Sequence, residues 1–287
     1  MDDIKLFKFR ACENNNLDAL KNGYLWFSNL SSLNDPYEGL LSFDKNGLTQ
    51  ELRLKFLKEI LAVEYNDRVI AEKKALEAYL LYRMNNKFED YFDDLGLKSF
   101  KNFYDDEKEK TFICSLSLER DKHSFSAPLN NMMMWAHYTN GFKGYCIEFN
   151  AKKLIDTIKL LNGKIGHSKM HYPDNNQLPS IKLKTFYESH LLDPMACSQE
   201  ILKAFCSKHI SWSYENEFRL FSESGGKVHY DNSCINSIYI AENMSKENKI
   251  KVINIAKEIG ANSIYNIELD KSKYGFFFRP LINTDNE

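Results

Sequence analysis

The segment Trp212-Ser213-Tyr214-Glu215-Asn216-Glu217-Phe218-Arg219-Leu220-Phe221 carries two carboxylates and an arginine at alternate positions. On a strand that spacing puts Glu215, Glu217 and Arg219 on one face and Phe218 and Leu220 on the other. Neighbouring carboxylates repel and desolvate each other. The pattern therefore fits an edge strand with a Glu-Arg salt bridge, a wetted face, or a face that a ligand uses. Carboxylate oxygens also suit a hard cation, and Asp35, Glu38, Glu215 and Glu217 form a candidate magnesium set for a nuclease, although no recognised spacing joins them.

Three further segments offer binding chemistry. Arg10 closes the run Lys8-Phe9-Arg10, and a planar guanidinium can grip a pyrophosphate or ribose through two oxygens at once. Tyr24-Leu25-Trp26-Phe27-Ser28, followed by Asn34-Asp35-Pro36-Tyr37-Glu38, supplies rings, a hydroxyl and a rigid turn. Together these could make a slot for a flat ring, with Trp26, Ser28, Asn34 and Asp35 at its lining. The plainer alternative makes Trp26 core and the Asn-Asp-Pro group loop punctuation bonded to its own backbone. In Met132-Met133-Met134-Trp135-Ala136-His137-Tyr138 the Met and Trp side chains suit a core, while His137 or Tyr138 could bond a ribose, phosphate or acceptor group.

The elements that must hold these residues follow from periodicity and turn signals. Strands are expected at Ile4 to Arg10, Tyr24 to Ser28, Thr111 to Ser117, Gly144 to Phe149, Tyr214 to Phe221, Ile235 to Ile240 and Ser263 to Leu269. Helices are expected at Leu17 to Lys21, Asn131 to Tyr138, about Pro194 to His209, and Lys246 to Ile259. From Glu51 to Leu95 apolar residues recur at helical spacing with a break at Asn66-Asp67, which predicts a helical hairpin with a solvated outer face. An irregular stretch with His167, His171 and Pro173 follows the fourth strand. The 287 residues suffice for a large core, and no repeat or low-complexity linker appears, so one α+β domain over 1–287 with a helical insertion at about 51–95 is expected.

Composition narrows the function classes. Lys plus Arg total 38 against 40 for Asp plus Glu, so no overall field draws the molecule to nucleic acid or an anionic membrane. Six scattered cysteines without a CxxC pair argue against structural zinc and a disulfide framework. No apolar run approaches the length of a membrane span, and the acidic start Met1-Asp2-Asp3-Ile4-Lys5 reads as cytoplasmic.

Asn34-Asp35-Pro36-Tyr37-Glu38, Met134-Trp135-Ala136-His137-Tyr138, Lys143-Gly144-Tyr145-Cys146-Ile147-Glu148-Phe149 and Trp212-Ser213-Tyr214-Glu215-Asn216-Glu217-Phe218-Arg219 resemble a bacterial domain-of-unknown-function family, numbered twenty-nine seventy-one. The resemblance covers most of the chain, roughly Leu6 to Ile240 outside the helical insertion. Members of that family recur beside phage-defence and mobile genes, which implies a role in bacterial immunity or a toxin system.

A more distant resemblance is to ADP-ribosyltransferases, through a strand-end Arg, an aromatic-Ser strand and a late Glu-x-Glu strand. It implies a mixed, mainly antiparallel sheet of ADP-ribosyltransferase type, NAD as the substrate, and a macromolecular acceptor, either RNA, DNA or protein. Glu217 would be the catalytic carboxylate, ionised to stabilise an oxocarbenium-like ribose. Glu215 would orient the acceptor, Arg10 would hold the phosphates or ribose, and Ser28 would brace the nicotinamide-side pocket. Only one hydroxyl of the family's Ser-Thr-Ser pattern is present, and Arg10 lies unusually close to Ser28. Arg10, Ser28 and Glu217 are thus expected to line one dinucleotide hollow. An antitoxin or regulator protein is a possible partner in such a system. A third alternative is a non-catalytic sensor of a nucleotide or phage protein, with the charged strand as its recognition edge.

Overall fold

The computed structural model describes residues 4–33, 35–119, 128–191 and 197–283. In chain order the strands are β1 (Lys5–Arg10), β2 (Tyr24–Asn29), β3 (Ser42–Asp44), β4 (Phe112–Leu118), β5 (Tyr145–Asn150) and β6 (Gly166–Lys169). They continue with β7 (Ser180–Lys182), β8 (Glu217–Ser222), β9 (Gly226–His229), β10 (Ile235–Ile240), β11 (Ser263–Leu269) and β12 (Phe276–Asn283). The helices are α1 (Asn14–Lys21), α2 (Gln50–Tyr65), α3 (Arg68–Met84), α4 (Phe88–Lys110), α5 (Met132–Tyr138), α6 (Ala151–Asn162), α7 (Leu183–Leu191), α8 (Ser198–Phe205) and α9 (Lys246–Glu258). The chain forms two compact units, one from Met1–Leu33, Lys110–Tyr172 and Lys208–Glu287, the other from Asn34–Glu109 and Pro173–Ser207.

The first unit is built on a ten-stranded sheet in the order β12-β11-β10-β5-β1-β4-β2-β9, with β8 on β4 and β6 on β8. Its pairings are antiparallel except β10 with β11, where α9 supplies the crossover that a parallel pair needs. Alternation sorts the side chains onto two faces. Leu6, Tyr145, Ile147, Leu116, Phe218 and Leu220 lie in one apolar core with Leu20 of α1, Leu154 and Ile158 of α6, and Val252 of α9. Phe7, Phe9, Cys146 and Tyr239 lie in another with Met134 and Trp135 of α5. The fold is thus α+β with a mainly antiparallel sheet.

β4 is a fork. One of its edges is paired with β8 from Phe112 to Ser117. The other is shared: β1 takes Ser117 and Leu118, β2 takes Phe112 and Ile113, and no described strand pairs Cys114 to Leu116 on that side.

The second unit is mostly helical. Left-handed Asn66 ends α2, and Asp67 caps α3 by accepting from the Val69 and Ile70 amides, so the break expected at Asn66-Asp67 is where the helices part. The expected hairpin is extended by α4, which runs on to Lys110. Leu57, Ala75, Phe88 and Phe92 form its core, Tyr187 of α7 stacks on Phe56 at 4.0 Å, and Arg53 is paired with buried Asp93 at 2.8 Å. A short parallel pair, β3 with β7, completes it.

Three expectations need correction. The strand expected from Tyr214 begins only at Glu217, because Ile210–Glu215 forms a 3-10 turn and Asn216 takes the left-handed conformation at φ 44°. Asn216 is fixed there by donating its side-chain amide to the Leu118 carbonyl and accepting from the Leu118 amide. Alternation therefore does not carry back to Glu215. The helix expected to run to His209 ends at Phe205, where Cys206 caps it; it spans Ser198–Phe205, and its expected start at about Pro194 lies outside the described residues. The stretch after β5, expected to be irregular, contains α6, β6, β7 and α7; in α6 the apolar residues Leu154, Ile155 and Ile158 are buried at the spacing of one helix face.

Gly144 enters β5 where β1 ends. A Cβ there would stand 2.0 Å from the Arg10 carbonyl oxygen and 2.9 Å from its carbon, backbone atoms that no side-chain rotation moves. Gly144→Ala should cost about 2 kcal/mol or more in chemical denaturation, as overpacking against backbone does. A change below about 0.5 kcal/mol, the size of an ordinary surface substitution, would contradict this close approach.

Candidate functional site

The Glu215–Glu217 segment forms a buried polar cluster in the first unit. β8 lies between β4 and β6, so it is not an edge strand, and its charged face is dry. Glu217 sits opposite Ser117 of β4, and Arg219 opposite Ser115. The Arg219 Nε donates to Glu217 Oε1 at 2.6 Å, its Nη2 reaches Oε2 at 3.4 Å, and Ser115 Oγ donates to Oε1. Lys208 Nζ, 2.8 Å from Glu215 Oε2 and 3.4 Å from Glu217 Oε2, bridges the two carboxylates. Tyr138 donates its hydroxyl to Glu215 Oε1. The Glu217 amide donates to the Tyr172 hydroxyl at 2.9 Å. Among the described residues two acids and two bases thus balance, which is how buried carboxylates are tolerated.

The two carboxylates are not equivalent. Burial acts to raise the Glu217 carboxyl, but Arg219 and Lys208, with Ser115, override it and bring it down to about 2. At Glu215 burial wins over Lys208 and Tyr138, and the carboxyl is held above its usual range. Glu215 is also the outer member, since Tyr138 beside it is 36% exposed. Around this rim His137 Nδ1 is 2.9 Å from the Tyr214 hydroxyl, and the Lys208 ammonium lies 4.7 Å from the centre of the Trp212 ring. Burial pushes the Tyr214 hydroxyl up to about 12.

Of the residues expected at one site, the structure unites Glu215, Glu217 and Tyr138, with His137 joined through Tyr214. It does not bring Arg10 to them. Arg10 pairs with Tyr145 and shares that face of the sheet, whereas Phe7, three residues earlier, shares the face of Ser117 and Glu217. Ser28 is on the Glu217 face but opposite Ile113, four residues along β4 from Ser117, or about 13 Å of strand. Trp26, expected at a ring slot or in the core, is 53% exposed opposite Lys227. A hollow shared by Arg10, Ser28 and Glu217 is therefore not formed.

Asp35 belongs to the second unit, where one carboxylate oxygen accepts from the Tyr37 amide and the other has no partner among the described residues. Asn34 lies outside the described residues. Glu38 is in the second unit as well, and among the described residues no group of three or more His, Cys, Asp or Glu could hold a metal ion.

Ser115, Lys208 and Tyr172 were not singled out by sequence. For Ser115 a signal exists in Cys114-Ser115-Leu116-Ser117, whose alternation puts two hydroxyls on one strand face. Lys208 and Tyr172 come from connecting segments, where no periodicity marks them.

The low Glu217 value has a stability consequence. A carboxyl depressed in the folded state stabilises the fold above its unfolded value near 4.5, and that contribution, on the order of 3 kcal/mol, is lost as the pH falls toward 2. Denaturation at stepped pH should show the wild type losing more stability than Glu217→Gln across that window. Parallel losses would contradict the assignment.

The family described as a protein of unknown function (DUF2971) matches residues 134–220, a range that takes in Tyr138, Lys208, Glu215, Glu217 and Arg219. None of the comparisons supports the expected likeness to ADP-ribosyltransferases, for no curated protein and no solved structure matches the chain. Over residues 134–220, this chain is similar to that family.

Proposed function

We propose that the Glu215–Glu217 pair is an enzyme site for glycosidic-bond cleavage, with NAD as substrate and ADP-ribose passed to a macromolecular acceptor. The observation that carries this reading is the lysine ammonium shared by two buried carboxylates held in different environments. Environments that push paired carboxyls apart assign them different chemical roles. Glu217, ionised and fixed by Arg219 and Ser115, is suited to stabilise the positive charge that builds on ribose as nicotinamide departs with the bonding pair. Glu215, nearer the rim and higher in proton affinity, is suited to take the proton of an incoming nucleophile. Arg10 and Ser28 have no part in this version.

The acceptor is RNA, DNA or protein. A cytoplasmic toxin or anti-phage role, with an antitoxin or regulator as partner, belongs to the same proposal and is supported by the family resemblance alone. No helix among the described residues is long and apolar enough to cross a membrane.

A sensor is the second reading, favoured by the bonds that already engage both Glu217 oxygens. In that case the cluster is architecture, and the rim of His137, Tyr138, Trp212 and Tyr214 does the binding.

Nicotinamide release from NAD, with RNA, DNA and protein acceptors supplied in turn, separates the readings. The enzyme reading expects turnover that falls about 100-fold or more in Glu217→Gln and is reduced in Tyr138→Phe, while NAD affinity is largely kept. Melting curves accompany both variants, because breaking a buried pair costs about 3–5 kcal/mol. Turnover unchanged in a folded Glu217→Gln, or absent from the wild type with every acceptor, would remove the enzyme reading.

A further inference from the structure

β1 and β10 flank β5 and both run antiparallel to it, so the loops that leave them and the loop that enters β5 meet at one end of the sheet. All three loops belong to the first unit. Between them lies a cavity of about 300 Å³, at the small end of the roughly 300–1,000 Å³ that small-molecule sites occupy. Glu13 from the loop after β1, Asn140 and Lys143 from the loop before β5, and Asn243, Ser245 and Asn248 around the start of α9 supply its polar walls. Of the residues that line it only Ala11 and Cys12 are apolar, so it presents no aromatic ring and no large aliphatic side chain.

The walls are fixed by backbone bonds. Asn140, Gly141 and Phe142 take the left-handed conformation in succession, at φ 52°, 69° and 63°, which is unfavourable for residues that carry a Cβ. The run is held because the Gly141, Phe142 and Lys143 amides donate to the Ala136, Trp135 and Thr139 carbonyls, and Phe142 packs against Phe276 and the core beneath α5. Asn140 and Lys143 stand at its two ends, so their positions are set before a ligand arrives. The Ala11 carbonyl accepts from the Glu13 amide and the Asn16 side chain, and the Ala241 amide ties the loop after β10 to the Gly144 carbonyl.

The polar side chains on these walls are uncommitted. Among the described residues Glu13, Asn140, Lys143, Asn243 and Asn248 make no hydrogen bond or ion pair through their side chains, and Ser245 accepts from the Asn248 amide as the cap of α9. Free polar side chains are ordinary on an open surface, but here three loops bring them to one hollow. A wall without rings holds its ligand through hydrogen bonds, so the ligand is polar along its length. Lys143 selects an anionic group, and the amide-rich start of α9 adds to its field. Glu13 offers only acceptors, which suit paired hydroxyls, and the three asparagine amides donate and accept as hydroxyls do. A zwitterion such as an amino acid would engage Lys143 and Glu13 but leave those amides without partners.

We infer that this cavity binds a small phosphorylated sugar, with the phosphate at Lys143 and the hydroxyls at Glu13 and the asparagines. The site is independent of the enzyme reading, since it needs neither Glu215 nor Glu217.

Calorimetric titration of the full chain with ribose 5-phosphate, with inorganic phosphate and ribose in separate arms at matched ionic strength, tests it. Ribose 5-phosphate should bind at least about tenfold tighter than either component. Glu13→Gln and Lys143→Gln should each weaken its binding about tenfold, the loss of one charge-assisted bond. Neither side chain has a partner to lose within the described fold, so both variants should melt with the wild type and report the site alone.

Adenosine monophosphate in a further arm distinguishes the source. Affinity equal to or above that of ribose 5-phosphate, with the same Lys143 dependence, assigns a nucleotide, and weaker binding assigns a free sugar phosphate. No binding of ribose 5-phosphate, binding no tighter than that of inorganic phosphate, or full binding by Lys143→Gln would overturn the site. Because the readout requires no turnover, that failure would leave the Glu215–Glu217 reading standing, just as loss of NAD cleavage would leave this site standing.

Discussion

Two carboxylates removed from water side by side are unstable unless positive charge goes in with them. In this chain that condition is met by Lys208 and Arg219, and the positions of the surrounding elements follow from it. Arg219 comes from the strand of Glu217 itself, so strand geometry alone keeps that pair together. Lys208 comes from outside the strand and holds Glu215 as well, which lets left-handed Asn216, at the end of the 3-10 turn, lie between two acids without separating them. A cluster of this kind contributes little net stability compared with apolar residues of the same volume.

β4 is where the two polar features of the first unit meet. Its Ser115 hydroxyl binds Glu217 on one face, and its Ser115 carbonyl binds Lys8 in the gap left by the fork. One residue thus ties the carboxylate cluster to Lys8. The fork exists because β1 and β2 claim opposite ends of the same β4 edge. A fully paired edge would leave Lys8 no carbonyl to cap.

Much of the strand order could be read from the sequence because alternation is local: β1, β2, β4, β5, β10 and β11 stand close to where periodicity puts them. The Asn66-Asp67 break was equally legible, since a left-handed Asn and an Asp cap act within one turn. Glu215 shows the limit. Its period-2 spacing from Glu217 suggested a shared strand face, yet the two meet through a turn and a bridging lysine instead. Arg10 shows another, because its type suited a phosphate while its strand parity, knowable only from register, put it on the face away from Glu217. Lys208 and Tyr172 were out of reach, as tertiary contacts bring them in without any local pattern.

The account rests on Glu217 and Glu215 being held in opposite protonation regimes by their surroundings. Carbon-13 resonances of selectively labelled glutamate side chains, followed through an acid titration of the folded protein and assigned with Glu215→Gln and Glu217→Gln, read this directly. The account predicts that the Glu217 carboxyl stays ionised down to about pH 2 while Glu215 takes its proton above the ordinary carboxyl value of 4.5. If both carboxyls titrate together near that ordinary value, the pair has no division of roles and the account is wrong.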